Sequence, residues 1–209
     1  QLANALYPLI ETVEPFEAGL ERYGRSYQEG WQRMMAQKLG FSSFDPETDE
    51  ALISDLLSIL TMAETDMTIF FRRLSRVSAE GRDPSALGDD ALMAPLMEAY
   101  YVPGQLTPSL RILTGRWLRR YLDRLARENI PQAVRRRRMN TVNPKYVLRN
   151  YMAQMAIDQA EAGDYTRIHE LLDLLRHPYD TQPGQERFAR KRPDWARNRP
   201  GCSMLSCSS

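Results

Sequence analysis

Cysteine and histidine are scarce: two of each in 209 residues. So few thiols cannot make a disulfide scaffold, and their rarity fits a reducing compartment. His169 and His177 stand eight residues apart with no cysteine pair nearby, so a zinc site fails on ligand count. Long apolar runs are missing too; none approaches the roughly 20 residues a membrane span needs. Residues 1–10 show neither a basic leader nor a cleavage site. Charge of one sign is not in excess: 28 Lys and Arg face 27 Asp and Glu, for a net charge of +1. That balance argues against wholesale binding to nucleic acid or membrane. Gly-rich phosphate loops are absent, as are His-Arg-Asp and Asp-Phe-Gly signatures, and no Ser-His-Asp order is persuasive. No stretch alternates apolar and polar residues long enough for a sheet, and there is no internal repeat.

What is present is helical periodicity. Apolar residues make up 43% and charged residues 26%, the balance of a soluble globular chain with one sizeable core or two small ones. Leu2, Leu6, Leu9 and Ile10 open an amphipathic helix, and Pro15 marks the break before the next. Residues 16–39 carry a stripe of Leu20, Tyr23, Tyr27, Trp31, Met34 and Met35, stopped by Gly40. Asp45-Pro46 starts a third helix and Asp66 caps a fourth. Residues 81–88 (GRDPSALG) form the best internal loop, followed by a shorter helix over 89–101 and a Pro103-Gly104 turn. Thr107-Pro108 opens a long helix that Pro131 ends or kinks. Residues 165–176 form the last helix, and 179–209 read as an extended tail with few helical turns. The predicted class is all-α.

Three groups of residues invite a chemical reading. Residues 111–138 hold ten arginines, opposed only by Asp123 and Glu128. They read as a solvated helix face with acidic partners elsewhere, or as the face of a non-enzymatic module for an anionic partner. Trp117 and Tyr121 share the apolar stripe there, which points to core rather than to base stacking. Asp89-Asp90, and Asp45 with Glu47 and Asp49, sit where carboxylates match a helix dipole; cation binding is the weaker reading. Cys207 lies near the chain end in a small, polar context, as an exposed thiol.

Residues 140–157 (NTVNPKYVLRNYMAQMAI) are the most specific stretch. Asn143 is suited to cap a helix with Pro144 at its first position. Val147, Leu148, Tyr151, Met152 and Met155 supply an apolar stripe, and Gly163 ends it. Periodicity alone makes this a capped core helix with surface polar groups. The string itself, through Asn143, Pro144, Val147, Leu148, Arg149, Asn150, Tyr151, Ala153, Gln154, Ala156 and Ile157, resembles the C-terminal third of the selenoprotein O family. Residues 37–41 (QKLGF), 192–195 (RPDW) and 206–209 (SCSS) are similar to further segments of that family, in the same order. Residues 2–10 resemble the helix that follows its kinase-like active site.

The resemblance implies the C-terminal helical part of a protein adenylyltransferase with a kinase-like fold. Such an enzyme uses ATP and magnesium to place AMP on Ser, Thr or Tyr hydroxyls of target proteins. The active site would precede Gln1; none of its catalytic, cofactor or metal residues maps onto this chain, and this piece is expected to bind no cofactor. The opening on Gln1 inside a helical pattern likewise leads us to expect a fragment. Residues 1–178 would be the helical C-lobe and 179–209 the tail, with the N-terminal lobe and protein substrates as partners, and neither nucleic acid nor membrane. Asn143, Arg149 and Asn150 are expected to form a polar cluster fixing helix contacts. Arg192, Pro193 and Trp195 would anchor the tail. Cys207 would be a redox element bonding to a cysteine upstream; a Cys202–Cys207 disulfide ranks second, because its short loop would be strained. The compartment would be the cytoplasm in a bacterium or the mitochondrion in a eukaryote.

Overall fold

Local caps set most of the helix starts. The computed structural model describes residues 2–10, 12–79 and 81–202. Its α-helices are α1 (Leu2–Ile10), α2 (Glu14–Leu39), α3 (Pro46–Thr61), α4 (Met67–Leu74), α5 (Asp89–Met93), α6 (Pro108–Ala126), α7 (Gln132–Val142), α8 (Asn150–Glu161) and α9 (Thr166–Arg176). The Asp45 side chain accepts the Glu47 N–H ahead of Pro46, Asp66 accepts that of Ile69, and Thr107 accepts that of Leu110. Each satisfies a donor that the first helical turn leaves unpaired. Gly40 ends α2 with φ 83°, a left-handed conformation that glycine takes without strain. No strand occurs among the described residues; one antiparallel bridge joins Thr65 and Tyr100. The all-α expectation holds.

Several boundaries differ from expectation. Residues 89–101 are not one helix but α5 followed by a 3-10 segment, Ala94–Ala99, with Pro95 just inside it. The helix break before Pro131 is as expected, but the arginine-rich residues after it, given no helix by the sequence, form α7. Asn143 does not start a helix: it ends α7, its N–H donating to the Met139 carbonyl at 2.9 Å. Pro144 keeps it out of the helical region (φ −103°, ψ 105°). Lys145 and Tyr146 then donate to the Pro178 carbonyl at 2.8 and 3.0 Å, so residues 144–149 run non-helically and α8 begins only at Asn150. Leu148, placed on the apolar stripe by periodicity, is 53% exposed.

The larger core gathers the C-terminal end of α2 with α3, α4, α5, α6 and Met139 of α7. At its centre Trp117 stacks on Tyr121 with ring centroids 5.2 Å apart. Both polar tips are satisfied, Trp117 Nε1 by the Leu52 carbonyl and Tyr121 Oη by the Leu39 carbonyl, each at 2.8 Å. Both aromatics are core, as their spacing implied. A smaller core joins Tyr146, Tyr151 and Met152 to α9 and, from the C-terminal segment, to Phe188, Ala196 and Cys202. The first two-thirds of α2 contributes to neither. Leu20, Tyr23 and Tyr27 are all at least 60% exposed, and α2 buries only Met35, Ala36 and Leu39.

α5 and α6 pack closely at Gly115. A Cβ added there would lie 2.0 Å from Asp89 Oδ1 and 2.9 Å from Asp89 Cβ. Alanine gains about 1 kcal/mol of helix propensity over glycine. Overpacking costs about 1–3 kcal/mol, and the Asp89 Cβ moves only with its backbone. The clash wins: Gly115→Ala is expected to lower stability by about 1–2 kcal/mol in urea unfolding, whereas a gain would mean that α5 yields freely.

Candidate functional site

Asn143 is fully buried at the join of α2 and α7. Its Nδ2 donates to the Lys38 carbonyl at 2.9 Å, and its Oδ1 accepts from Lys38 Nζ at 3.1 Å. One amide thus closes both polar ends of a residue at the last turn of α2. Burial pushes the Lys38 ammonium below its ordinary pKa. The Arg72 guanidinium, from α4, donates to the carbonyls of Asn140 and Asn143, both at 2.8 Å, and so ties a third helix to the same point.

Arg149 lies at the start of α8 but looks away from Asn143. Its Nη1 and Nη2 donate to the two Asp66 oxygens at 2.5 and 3.2 Å, a forked pair. Asp66 is 4% exposed; it also caps α4 and accepts from Tyr101 Oη at 3.1 Å. Asn150, the third member expected in the polar cluster, is the exposed first residue of α8. The structure therefore separates the three: Asn143 on α2 and α4, Arg149 on Asp66, Asn150 toward solvent.

The C-terminal segment meets the same place. The Arg192 backbone N–H donates to Tyr101 Oη at 3.1 Å, and the Arg192 guanidinium sits over the Tyr101 ring, 5.1 Å from its centroid. Glu64 accepts from Arg192 and from Arg197, each at 2.8 Å. Tyr101 Oη is thus a relay between Arg192 and the Asp66–Arg149 pair. Burial first, with Asp66 adding to it and the Arg192 N–H opposing, raises the Tyr101 pKa. Pro193 precedes a 3-10 turn, Asp194–Ala196. Trp195 is half exposed, edge-on to Tyr151 at 6.1 Å. Cys207 lies outside the described residues.

Asp66, Tyr101, Glu64 and Lys38 complete these contacts, and none was legible as a partner. Asp66 showed only as a cap and Tyr101 only as a helix end. On α6 the arginines are largely matched: Arg111 with Asp90, Arg119 with Asp89, Arg120 with Asp55, and Arg124 with Asp49 and Glu128. Arg135 of α7 departs from the solvated face expected of it. It is 5% exposed and donates to the Val77 carbonyl at 2.8 Å and to Tyr121 Oη at 3.2 Å. These arrangements position helices. They bring no nucleophile to a base, and among the described residues no three His, Cys, Asp or Glu side chains group so as to hold a metal ion. No helix among them is long and apolar enough to cross a membrane.

The profile of a family described as protein adenylyltransferase SelO matches residues 1–176. The chain is similar to the protein nucleotidyltransferase YdiU of Rhodopirellula baltica, 51% identical across all of this chain and 39% of that protein. It is similar to its counterpart in Aromatoleum aromaticum, also 51% identical over the whole chain and 38% of the relative. The Nitrosospira multiformis counterpart is 42% identical, again over the whole chain and 40% of its own length. The chain therefore spans about two-fifths of the length of the curated relatives it matches.

Proposed function

This chain belongs to the protein adenylyltransferase SelO family, and from that membership we propose that it is the C-terminal helical part of an enzyme that transfers AMP from ATP to Ser, Thr or Tyr hydroxyls of target proteins. The observation that carries the reading is the match across the whole chain to proteins named as nucleotidyltransferases. The remaining length would supply a kinase-like, nucleotide-gripping part. In the reaction the attacking hydroxyl forms a bond to the α-phosphorus while the bond to pyrophosphate breaks, a transfer governed by positioning and charge neutralisation.

The part left for this chain is mechanical. Residues 1–178 would buttress the kinase-like part, with the exposed stripe of Leu20, Tyr23 and Tyr27 as the face it covers; apolar surface of that kind marks an interaction site. Residues 179–209 would act as a tail held at Arg192, Pro193 and Trp195, delivering Cys207 for thiol–disulfide exchange with a cysteine of the other part. These relatives are bacterial, which favours the bacterial alternative; the cytoplasm is then the proposed compartment.

The test uses the full-length protein with ATP labelled at either the α or the γ phosphate. Label from the α position alone should reach protein targets; γ transfer would make the enzyme a kinase and end the proposal. In the same assay Cys207→Ser should remove any difference between reduced and oxidised enzyme. A parent enzyme indifferent to oxidant would refute the tail's regulatory part alone.

A further inference from the structure

A concavity lies apart from the Asp66–Arg149 pair. It is a groove of about 500 Å³ between α4, α7, residues 144–149 and residues 181–190. Six cationic side chains line it: Arg72, Arg73, Arg76, Arg136, Lys145 and Arg190. Only two carboxylates face them, Glu98 and Glu186, and Glu98 is taken by Arg73. Arg72 is fixed by backbone carbonyls, including that of Tyr179 at 3.1 Å, and forms no ion pair among the described residues, although the Asp180 carboxylate acts on it from outside the groove lining. Among the described residues Arg76, Arg136, Lys145 and Arg190 form no ion pair. The arginines of α6 contrast with them, since four of those are matched.

Cations lining one groove repel, since exposed charges act on one another over a screening length of about 8 Å at physiological salt. The repulsion is felt here. Partial desolvation, then Arg73 and Arg136, lower the Arg76 pKa against Glu98; at Arg72 desolvation, Arg136 and Arg76 lower it against Tyr146 and Asp180. A bound anion would relieve it. Guanidinium groups pair with phosphate oxygens through two parallel N–H donors. No aromatic ring lines the groove, so it offers a nucleobase no stacking platform. Glu98 and Glu186 on its walls would oppose the unbroken phosphate track of a nucleic acid. The volume falls within the range of small-ligand pockets, about 300–1,000 Å³, and exceeds what a single phosphate fills.

We infer that this groove binds a small anion of linked phosphates, either free pyrophosphate or tripolyphosphate or the phosphate tail of a nucleotide. The inference does not rest on adenylyl transfer. Its test is hydrogen–deuterium exchange of the full-length protein with pyrophosphate, tripolyphosphate or ATP, at matched ionic strength. Each active anion should slow exchange in peptides covering 67–76, 132–142 and 186–190. ATP acting as strongly as tripolyphosphate would identify the nucleotide tail as the source, and tripolyphosphate alone the free anion. The double variant R76E/R136E should keep its melting temperature within a few degrees, because both side chains are exposed, and should weaken binding at these peptides at least tenfold. Unchanged protection in that variant, equal protection by sulfate, no protection in these peptides, or tighter binding of an acidic peptide or oligonucleotide than of tripolyphosphate would each overturn the assignment.

Discussion

Replacing Asp66 by alanine is expected to cost about 3–5 kcal/mol, because it leaves the Arg149 guanidinium, on a 14% exposed side chain, without its counter-charge. The loss of the α4 cap adds about 1 kcal/mol. With a typical domain stable by about 5–15 kcal/mol, this is a large fraction of the total. Arg149→Met should cost less, since Asp66 keeps the Ile69 N–H and the Tyr101 hydroxyl. Asp66→Asn should fall between, retaining the cap but losing the charge. The three variants, measured by denaturant unfolding and closed as a double-mutant cycle with Arg149, isolate the pair. An Asp66→Ala loss below about 1 kcal/mol would show that the two cores do not depend on this contact.

A steep alkaline loss of stability is expected from Tyr100 and Tyr121. Burial pushes both phenols from 10.0 up to about 12, with Arg111 opposing at Tyr100 and Arg135 at Tyr121. The unfolded chain sheds these protons near pH 10, while the folded chain holds them to about pH 12. Over that window the unfolded state binds fewer protons, so stability is complete below pH 10 and falls as pH rises toward 12. Two groups shifted this far contribute a loss of about 5 kcal/mol, at about 1.4 kcal/mol per pH unit for each. Lys38 acts with the opposite sign: its folded pKa lies below 10.5, so its penalty is relieved as pH rises. It is one half-buried group against two fully buried phenols. Unfolding free energies from pH 8 upward, read with tyrosinate absorbance, test this; the Tyr100→Phe/Tyr121→Phe variant should flatten the curve. A parent curve already flat through pH 11 would refute it.

Helix starts governed by adjacent residues were readable: Asp45-Pro46, Asp66 and Thr107-Pro108 each act within one turn of their own position. The apolar spacing of Trp117, Leu118, Tyr121 and Leu122 likewise placed them in the core. Position 143 is ambiguous in the sequence, because an extended residue before proline suits a helix start and a helix end equally well. What decides is Lys38, 105 residues away, which takes the Asn143 side chain. Arg149 stood out in the sequence, but its partner lies 83 residues off, and only packing brings the two together. α7 was hidden inside a run of arginines with little periodicity, and Arg135 is buried there because the Val77 carbonyl and Tyr121 receive its donors. The stripe on α2 was real as a pattern; periodicity records that a face is apolar and says nothing of what covers it.

The bare reach of α2 has a further consequence. At about 1.5 Å per residue its 26 residues extend about 39 Å, yet only the final turns are anchored. Most helical stability in proteins comes from packing an apolar face, and the first two-thirds of α2 lacks such packing among the described residues. If a partner surface covers Tyr23 and Tyr27, as proposed above, the helicity of this arm should rise on assembly, so that its coil-to-helix balance would read out whether the partner is bound.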